Sequence, residues 1–210
     1  MRVILVANSK GGCGKTTLAT TLATALAGWG AKVGLADADR QKSTLKWLKS
    51  RPGEERAIQS FDWSKERKLS GIPKGLDWLV VDAPGALRGP DAEDLVAEAR
   101  HVIVPLLPSI YDITATERFL KRIERIKKVK KGKADIMLVP NRVRPRSRAA
   151  DDLSSHLKQA ARNVSAQLSD RSAYANLAAG GLGIFDRQSA SLRPVRMQWN
   201  PILKHIAPSA

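Results

Sequence analysis

The chain has 210 residues and a formal net charge of +16, from 36 Lys and Arg against 20 Asp and Glu. At 43% hydrophobic and 27% charged it has the composition of a globular protein long enough for one full core, while its lone cysteine excludes an intramolecular disulfide or a cysteine-built metal or iron–sulfur site within one chain. No apolar run approaches the roughly 18 residues of a membrane span, and the excess positive charge points to a polyanionic partner, nucleic acid or an anionic membrane surface.

Residues 2–7 (RVILVA) form a short apolar run without alternation, the pattern of a buried strand. That run is too short for a signal peptide, and with the single cysteine it predicts a cytoplasmic protein. A helix is expected to begin inside Gly14–Thr17 and run to about Leu26, with Gly28 as its stop. Residues 32–37 are a second strand and 41–50 a short helix. Residues 51–75 are polar and broken by Pro and Gly, with one short strand at AIQSF. A buried strand at 77–82 (DWLVVD), a helix at about 91–99 and a strand at 101–107 follow. An amphipathic helix spans 114–130, and 134–140 (ADIMLVP) is a further strand. A helix at 149–162, a strand at NVSAQL (163–168) and a helical segment at 172–180 complete the regular elements. Pro194 and Pro201 interrupt or delay any helix over 189–206. Strands alternating with helices predict an α/β fold: one P-loop NTPase domain over 1–210, with a mostly parallel twisted sheet and helices on both faces.

The chemistry concentrates in residues 8–17, NSKGGCGKTT. Gly14, Lys15 and Thr16 fit the phosphate-binding pattern G-x-x-x-x-G-K-[ST], but its leading glycine is replaced by Ser9, and a second lysine, Lys10, follows. The motif sits between a strand and a helix, the context in which backbone N–H groups and a helix N-terminus hold phosphate. Lys10, Gly11, Gly12, Cys13, Gly14, Lys15, Thr16 and Thr17 are therefore candidate nucleotide contacts. Lys15 is expected to reach the β- and γ-phosphates of ATP, and the Thr16 hydroxyl to ligate Mg²⁺. Asp82, at the end of its strand, is placed to hold the same metal directly or through water. In DADRQ, Asp37 and Asp39 end the second strand and supply one carboxylate near the metal and one to orient water on the γ-phosphate.

KGGCGKTT resembles the deviant Walker A box of the ParA/MinD family of ATPases. DADRQ is similar to the family's second box, usually D-x-D-P-Q, with Arg40 in place of the proline. VVDAPG resembles its Walker B and switch II segment, VPLLPSIYD a strand followed by P-S-x-x-D, and AAGGLGIFD a segment near the C-terminus. The resemblance covers roughly residues 1–186, and the chain's length and start look like those of the small plasmid-type ParA proteins. It implies that Lys10 reaches across a dimer interface to the phosphates of the other subunit's ATP, acting in trans as an arginine finger does, so that ATP switches the chain from monomer to sandwich homodimer. It also implies that Asp39 positions the attacking water, with Asp37 its neighbour near Mg²⁺, which makes Lys10, Lys15 and Asp39 the catalytic set. Asn141 and Arg142 follow a strand where related folds read adenine, and an Asn amide can pair with the N6/N7 edge.

Residues 118–148 hold thirteen Lys and Arg against two acids, Glu124 and Asp135. Phe119, Leu120, Ile123, Ile126 and Val129 recur at helical spacing, leaving Lys121, Arg122, Arg125 and Lys128 on the outer face. Arg144, Arg146 and Arg148 form a second cluster with Arg142; Arg187, Arg193, Arg196 and Lys204 are a sparser third. A solvated face is the plain alternative, but the excess of one sign predicts sequence-independent DNA binding. With the resemblance, this implies a nucleoid-associated ATPase released from DNA when a ParB-like or other partner stimulates hydrolysis, the cargo being chosen by that partner. Two rivals remain at this point. In a MinD-like membrane switch, the tail residues Met197, Trp199, Ile202, Leu203 and Ile206 would lie on a bilayer without spanning it. In a metabolic ligase of the same fold group, Ser9 and Lys10 would be out of place.

Overall fold

The N-terminal apolar run forms β1 (Arg2–Val6) at the centre of a six-stranded sheet. The computed structural model describes residues 1–65, 72, 74–85, 87, 90–162, 164 and 166–207. The other strands are β2 (Val33–Asp37), β3 (Ile58–Asp62), β4 (Trp78–Asp82), β5 (His101–Leu106) and β6 (Asp135–Pro140). Their order is β3-β2-β4-β1-β5-β6, and every pairing is parallel.

Strict side-chain alternation divides the core into two. Ile4 and Val6 of β1 face α1 (Lys15–Gly28) and the C-terminal helices α8 (Arg193–Met197) and α9 (Asn200–Ile206). Val3 and Leu5 face the opposite cluster, with α3 (Pro90–Glu98), α4 (Ile110–Ile123) and α6 (Arg148–Gln159). Both faces of the strands are covered, which is why the central strands carry continuous apolar runs. The chain leaves β1 toward β2 on one side, and β4 returns past β1 to β5 on the other. The crevice beyond the carboxyl end of β1 is thus the topological switch point, where ligands of open α/β sheets bind.

Several elements depart from the sequence expectation. Gly28 lies within α1; the left-handed residue that ends the helix is Gly30 (φ 83°), with Ala31 N–H bonding back to Leu26 at 3.3 Å. The helix expected over 114–130 starts earlier, after an extended Ser109, and is broken. Ile126 is extended, and a single turn, α5 (Lys127–Lys130), follows. The break lets Ile126 and Val129 pack against the α3 side of the core. Between α2 (Ser43–Lys49) and β4 the short strand expected at AIQSF is present as β3; positions 66–71 and 73 lie outside the described residues. NVSAQL is not a named strand: Val164 makes one isolated bridge with Leu138, and positions 163 and 165 lie outside the described residues.

The tail is interrupted as its two prolines predict: a 3₁₀ turn at Ala190–Leu192 gives way to α8, and α9 starts afresh after it. Each proline sits in the first turn of its own helix, where the missing N–H costs nothing. The tail is docked, with Trp199 fully buried and its Nε1 donating to the hydroxyl of Tyr174, on α7 (Ser172–Ala178), at 2.9 Å. No helix among the described residues is long and apolar enough to cross a membrane.

Candidate functional site

The loop between β1 and α1 is fastened at its base and open at its tip. Asn8 is fully buried, and its Nδ2 donates to the Pro105 carbonyl and to Thr116 Oγ1, both at 2.8 Å, tying the loop to β5 and α4. Gly12 (φ 76°) and Gly14 (φ 96°) take the left-handed turns that bend it. A Cβ on Gly14 would stand 2.3 Å from Asn141 Nδ2, so no side chain fits there. No side chain caps α1, which leaves its first backbone N–H groups and its positive end free for an anion.

The two lysines of the loop sit in opposite environments. Lys15 is buried, with Nζ donating to the Lys10 carbonyl at 2.9 Å. Lys10 is exposed and borders a cleft of about 450 Å³ together with Arg118, Phe119 and Arg122 of α4. Cys13 is fully buried, and burial pushes its thiol above the ordinary range despite the charge of Lys15; it is a small packing residue rather than a nucleophile.

The strand ends bring the acids to the loop. Asp37 and Asp82 are register partners on β2 and β4. Asp82 Oδ2 accepts from Thr16 Oγ1 at 2.7 Å and from Thr44 Oγ1 at 2.6 Å, whereas its Oδ1 is buried without a hydrogen-bond partner. Burial raises the Asp82 carboxyl to about 6, against the lowering effect of both threonines. An orphaned carboxylate oxygen beside a threonine hydroxyl is a hard-oxygen pair that suits Mg²⁺, which takes one or two protein oxygens and fills its remaining positions with water and phosphate. Thr16 and Asp82 are thus the residues that fit the ion.

Asp37 is employed differently. Its Oδ1 accepts from Asp39 N at 3.0 Å, and its Oδ2 from Thr44 N at 2.8 Å and Leu45 N at 3.1 Å, so it anchors the start of α2. Its burial raises its own carboxyl, and its charge helps raise that of Asp82. Asp39 is half-buried and bonds to Gln41 N at 2.9 Å and Gly85 N at 2.8 Å, which sets it between the second box and the segment after β4.

Asn141 does lie at the loop, where its Nδ2 donates to the Cys13 carbonyl at 2.9 Å, so its amide holds the loop's shape. Arg142, in a left-handed conformation, and Arg144 both turn to Asp170, at 3.3 and 3.1 Å. Arg148 lies 3.9 Å from Asp152, and Lys128 donates to the Ala97 carbonyl at 2.7 Å. Lys121, Arg122, Arg125 and Arg146 are exposed and have no acidic partner among the described residues. The two basic clusters sit on different elements: Lys121 and Arg122 are in the last turn of α4 and Arg125 lies just beyond it, whereas 142–148 follow the carboxyl end of β6.

Three participants escaped the sequence reading. Thr44 completes the Asp82 shell; the Ser43–Thr44 pair at an expected helix start was its one signal. Asp112, in the P-S-x-x-D stretch, is buried with an unpartnered Oδ1 and lies close enough to Cys13 to raise its thiol further. Arg51 forms a buried two-point ion pair with Asp186, at 2.8 Å for each contact, and so locks the segment after α7 onto the end of α2.

Comparison with known proteins agrees with the fold. The family model CbiA, the CobQ/CobB/MinD/ParA nucleotide binding domain, matches residues 4–184. The chain is 29% identical to a maintenance of carboxysome distribution protein A from Halothiobacillus neapolitanus, over 98% of this chain and 96% of that protein. It is 31% identical to a protein ParA from Rhizobium radiobacter, over 59% and 56% of the two chains. Among solved structures, an aspartate-to-alanine variant of Cyanothece McdA in complex with ATP shares the fold, with a TM-score of 0.76 at 17% identity over 96% of each chain.

Proposed function

The chain belongs to the CobQ/CobB/MinD/ParA nucleotide-binding family and is an ATPase of the ParA/MinD positioning type; from that premise we propose that it works as an ATP-gated DNA clamp for cargo. The ATP-bound form is a sandwich homodimer of two such units. It binds DNA without sequence preference, and a ParB-like or other partner stimulates a slow intrinsic hydrolysis that releases it. Mg²⁺, when bound, would offset charge on the phosphates; Thr16 and Asp82 would hold it, and Lys15, now donating to the Lys10 carbonyl, would turn to the phosphates.

The observation that carries this reading is the contrast between the loop lysines. Lys15 is buried inside its own loop, while Lys10, five positions earlier, is exposed on a cleft and free to reach a second molecule. Two such loops facing each other repel until γ-phosphates lie between them, so ATP controls pairing. Pairing doubles the phosphate contacts offered by exposed arginines and lysines, and DNA affinity rises steeply with the number of such contacts. The relative matched over nearly the whole chain is named for carboxysome distribution and another is named ParA, so the cargo is a protein assembly or a DNA element selected by the partner. Nucleoid association follows from the same DNA binding.

The membrane reading is not favoured, because Trp199, Ile202, Leu203 and Ile206 are buried against the sheet and of the tail's apolar set only Met197 is exposed. Binding to a random-sequence duplex, measured with no nucleotide, ADP and ATP across a salt series, tests the proposal. Salt-sensitive binding confined to ATP supports it; binding indifferent to nucleotide, or absent throughout, refutes it.

A further inference from the structure

At the edge of the sheet opposite the nucleotide loop, three side chains converge. His101 is the first residue of β5 and Asp135 the first of β6, and the two are register partners. His205, near the end of α9, reaches them from the tail. His101 Nδ1 lies 2.9 Å from Asp135 Oδ1, His205 Nε2 lies 2.6 Å from Asp135 Oδ2, and one donor atom from each residue falls within 4.8 Å of the other two. We propose that His101, Asp135 and His205 form a second metal site, which takes Zn²⁺ and clips the C-terminal helix to the sheet.

Two imidazoles and one carboxylate, with a water in the fourth position, are a donor set that zinc accepts. His101 supplies an independent reason to expect a ligand. It is 5% exposed, and its buried Nδ1, paired with Asp135 Oδ1 at 2.9 Å, makes no well-aligned hydrogen bond. Such an atom is costly unless something satisfies it. An ion between the three residues would do so while drawing the donors to the separations of about 3.4 Å that bonds of about 2.1 Å require in a tetrahedron. The adjustment falls on His205, which is half-exposed and provides the entry path. Arg100, which precedes His101, is turned to the Lys133 carbonyl at 3.0 Å. Neither histidine nor the aspartate contacts the nucleotide loop, so the site is separate from the Mg²⁺ pair of Thr16 and Asp82.

The consequence is mechanical. α9 buries Ile202, Leu203 and Ile206, and an ion on His205 fastens that helix to β5 and β6 only in the folded chain. Zinc therefore stabilises the native state by mass action.

The test uses the untagged full chain, stripped with chelator and held in Mg²⁺–ADP so that the nucleotide loop is filled. Calorimetric titration with ZnCl₂ is expected to show one saturable equivalent, with a rise in Tm of about 5–10 °C at hundredfold excess over Kd. His205→Ala changes an exposed side chain and leaves the core intact; it is expected to weaken binding at least about tenfold and to abolish the Tm shift. His156→Ala, which alters the remaining histidine, is expected to bind as the wild type does. Co²⁺ in place of zinc is expected to give the visible bands of a tetrahedral site, lost in His205→Ala. Absence of a saturable equivalent, or equal zinc binding by His205→Ala, overturns the proposal.

Discussion

The Asp39 carboxylate accepts the backbone N–H of Gly85 at 2.8 Å, so one side chain joins the end of β2 to the segment that follows β4. The same carboxylate is the group proposed to orient the attacking water. Asp39→Ala removes both the carboxylate proposed to orient water and the tie, yet it leaves Lys15, Thr16 and Asp82 as they are. The expected outcome is a fall in ATP turnover of about a hundredfold or more, with ATP affinity changed by no more than a few-fold. Asp39→Asn loses the charge and keeps one acceptor oxygen, enough for the Gly85 N–H or the Gln41 N–H but not for both. Its turnover is expected to fall as far as that of the alanine variant, and phosphate-release kinetics beside nucleotide binding would show whether chemistry or loop placement is lost.

Asp82 makes the nucleotide site a source of instability in the empty protein. Its carboxyl is raised from 3.8 to about 6 by burial. Between those values the folded chain keeps the proton and the unfolded chain has lost it, so stability falls as pH rises from about 4 to about 6 and stays low above that. The shift corresponds to roughly 3 kcal/mol. Asp82→Asn in EDTA is expected to raise the urea midpoint at pH 7.5 and to flatten its dependence between pH 4 and 6. The same variant is expected to lose Mg²⁺-dependent hydrolysis. A midpoint at pH 7.5 no higher than the wild type's would show that the buried charge is not the burden its surroundings make it.

Lys10 contributes to its own subunit through its backbone: its carbonyl accepts from Lys15 Nζ at 2.9 Å. Lys10→Ala preserves that carbonyl. The monomer is therefore expected to bind ATP within about threefold of wild type, since only a long-range charge is lost. Light scattering behind size exclusion, with a slowly hydrolysed ATP analogue, is expected to show wild-type dimer and mutant monomer. A mutant that dimerises normally would remove the trans role.

The parts of this protein legible in its sequence are those written locally. β1, β4 and β5 are continuous apolar runs because both sheet faces are covered, and the loop motif carries its own glycines and lysines. What the sequence concealed is non-local or competitive. Nothing in the order of residues announces that Arg51 pairs with Asp186, that Asn141 props the Cys13 carbonyl, or that His205 meets Asp135. Helical spacing ran unbroken through Glu124–Ile126, and only packing against α3 interrupts it. Pro194 and Pro201 announced that the tail helix would be interrupted, but not that each would open the first turn of its own helix. Asp37 looked like a metal ligand by its motif; its Oδ1 accepts from Asp39 N and its Oδ2 from Thr44 and Leu45 N–H at the start of α2, contacts that residue order does not announce.

Trp199 is the largest fully buried side chain, and its indole N–H bonds the Tyr174 hydroxyl at 2.9 Å. Burial raises the Tyr174 phenol above its ordinary value, with the Trp199 bond acting against that. Trp199→Ala is expected to cost about 3–5 kcal/mol in urea unfolding. Trp199→Phe keeps most of the packing and is expected to cost about 1–2 kcal/mol, chiefly for the orphaned hydroxyl. Equal losses in the two variants would mean that the hydrogen bond, not the packed ring, holds the tail.

The two basic clusters make opposite predictions for DNA. Lys121, Arg122 and Arg125 are exposed and lack acidic partners among the described residues, so their charge is available to phosphate. Arg142 and Arg144 already share Asp170, and any DNA contact must first compete with that pairing. Reversing Lys121, Arg122 and Arg125 to Glu is expected to weaken ATP-dependent DNA binding more than tenfold. It is also expected to lower the slope of log affinity against log salt by about 3 for each subunit in contact, one unit for each lost phosphate contact. Arg144→Glu is expected to change affinity less than threefold. Fluorescence anisotropy of a labelled duplex across a salt series measures both. A dominant effect from Arg144, with the α4 triple near wild type, would move the DNA surface to the loop after β6.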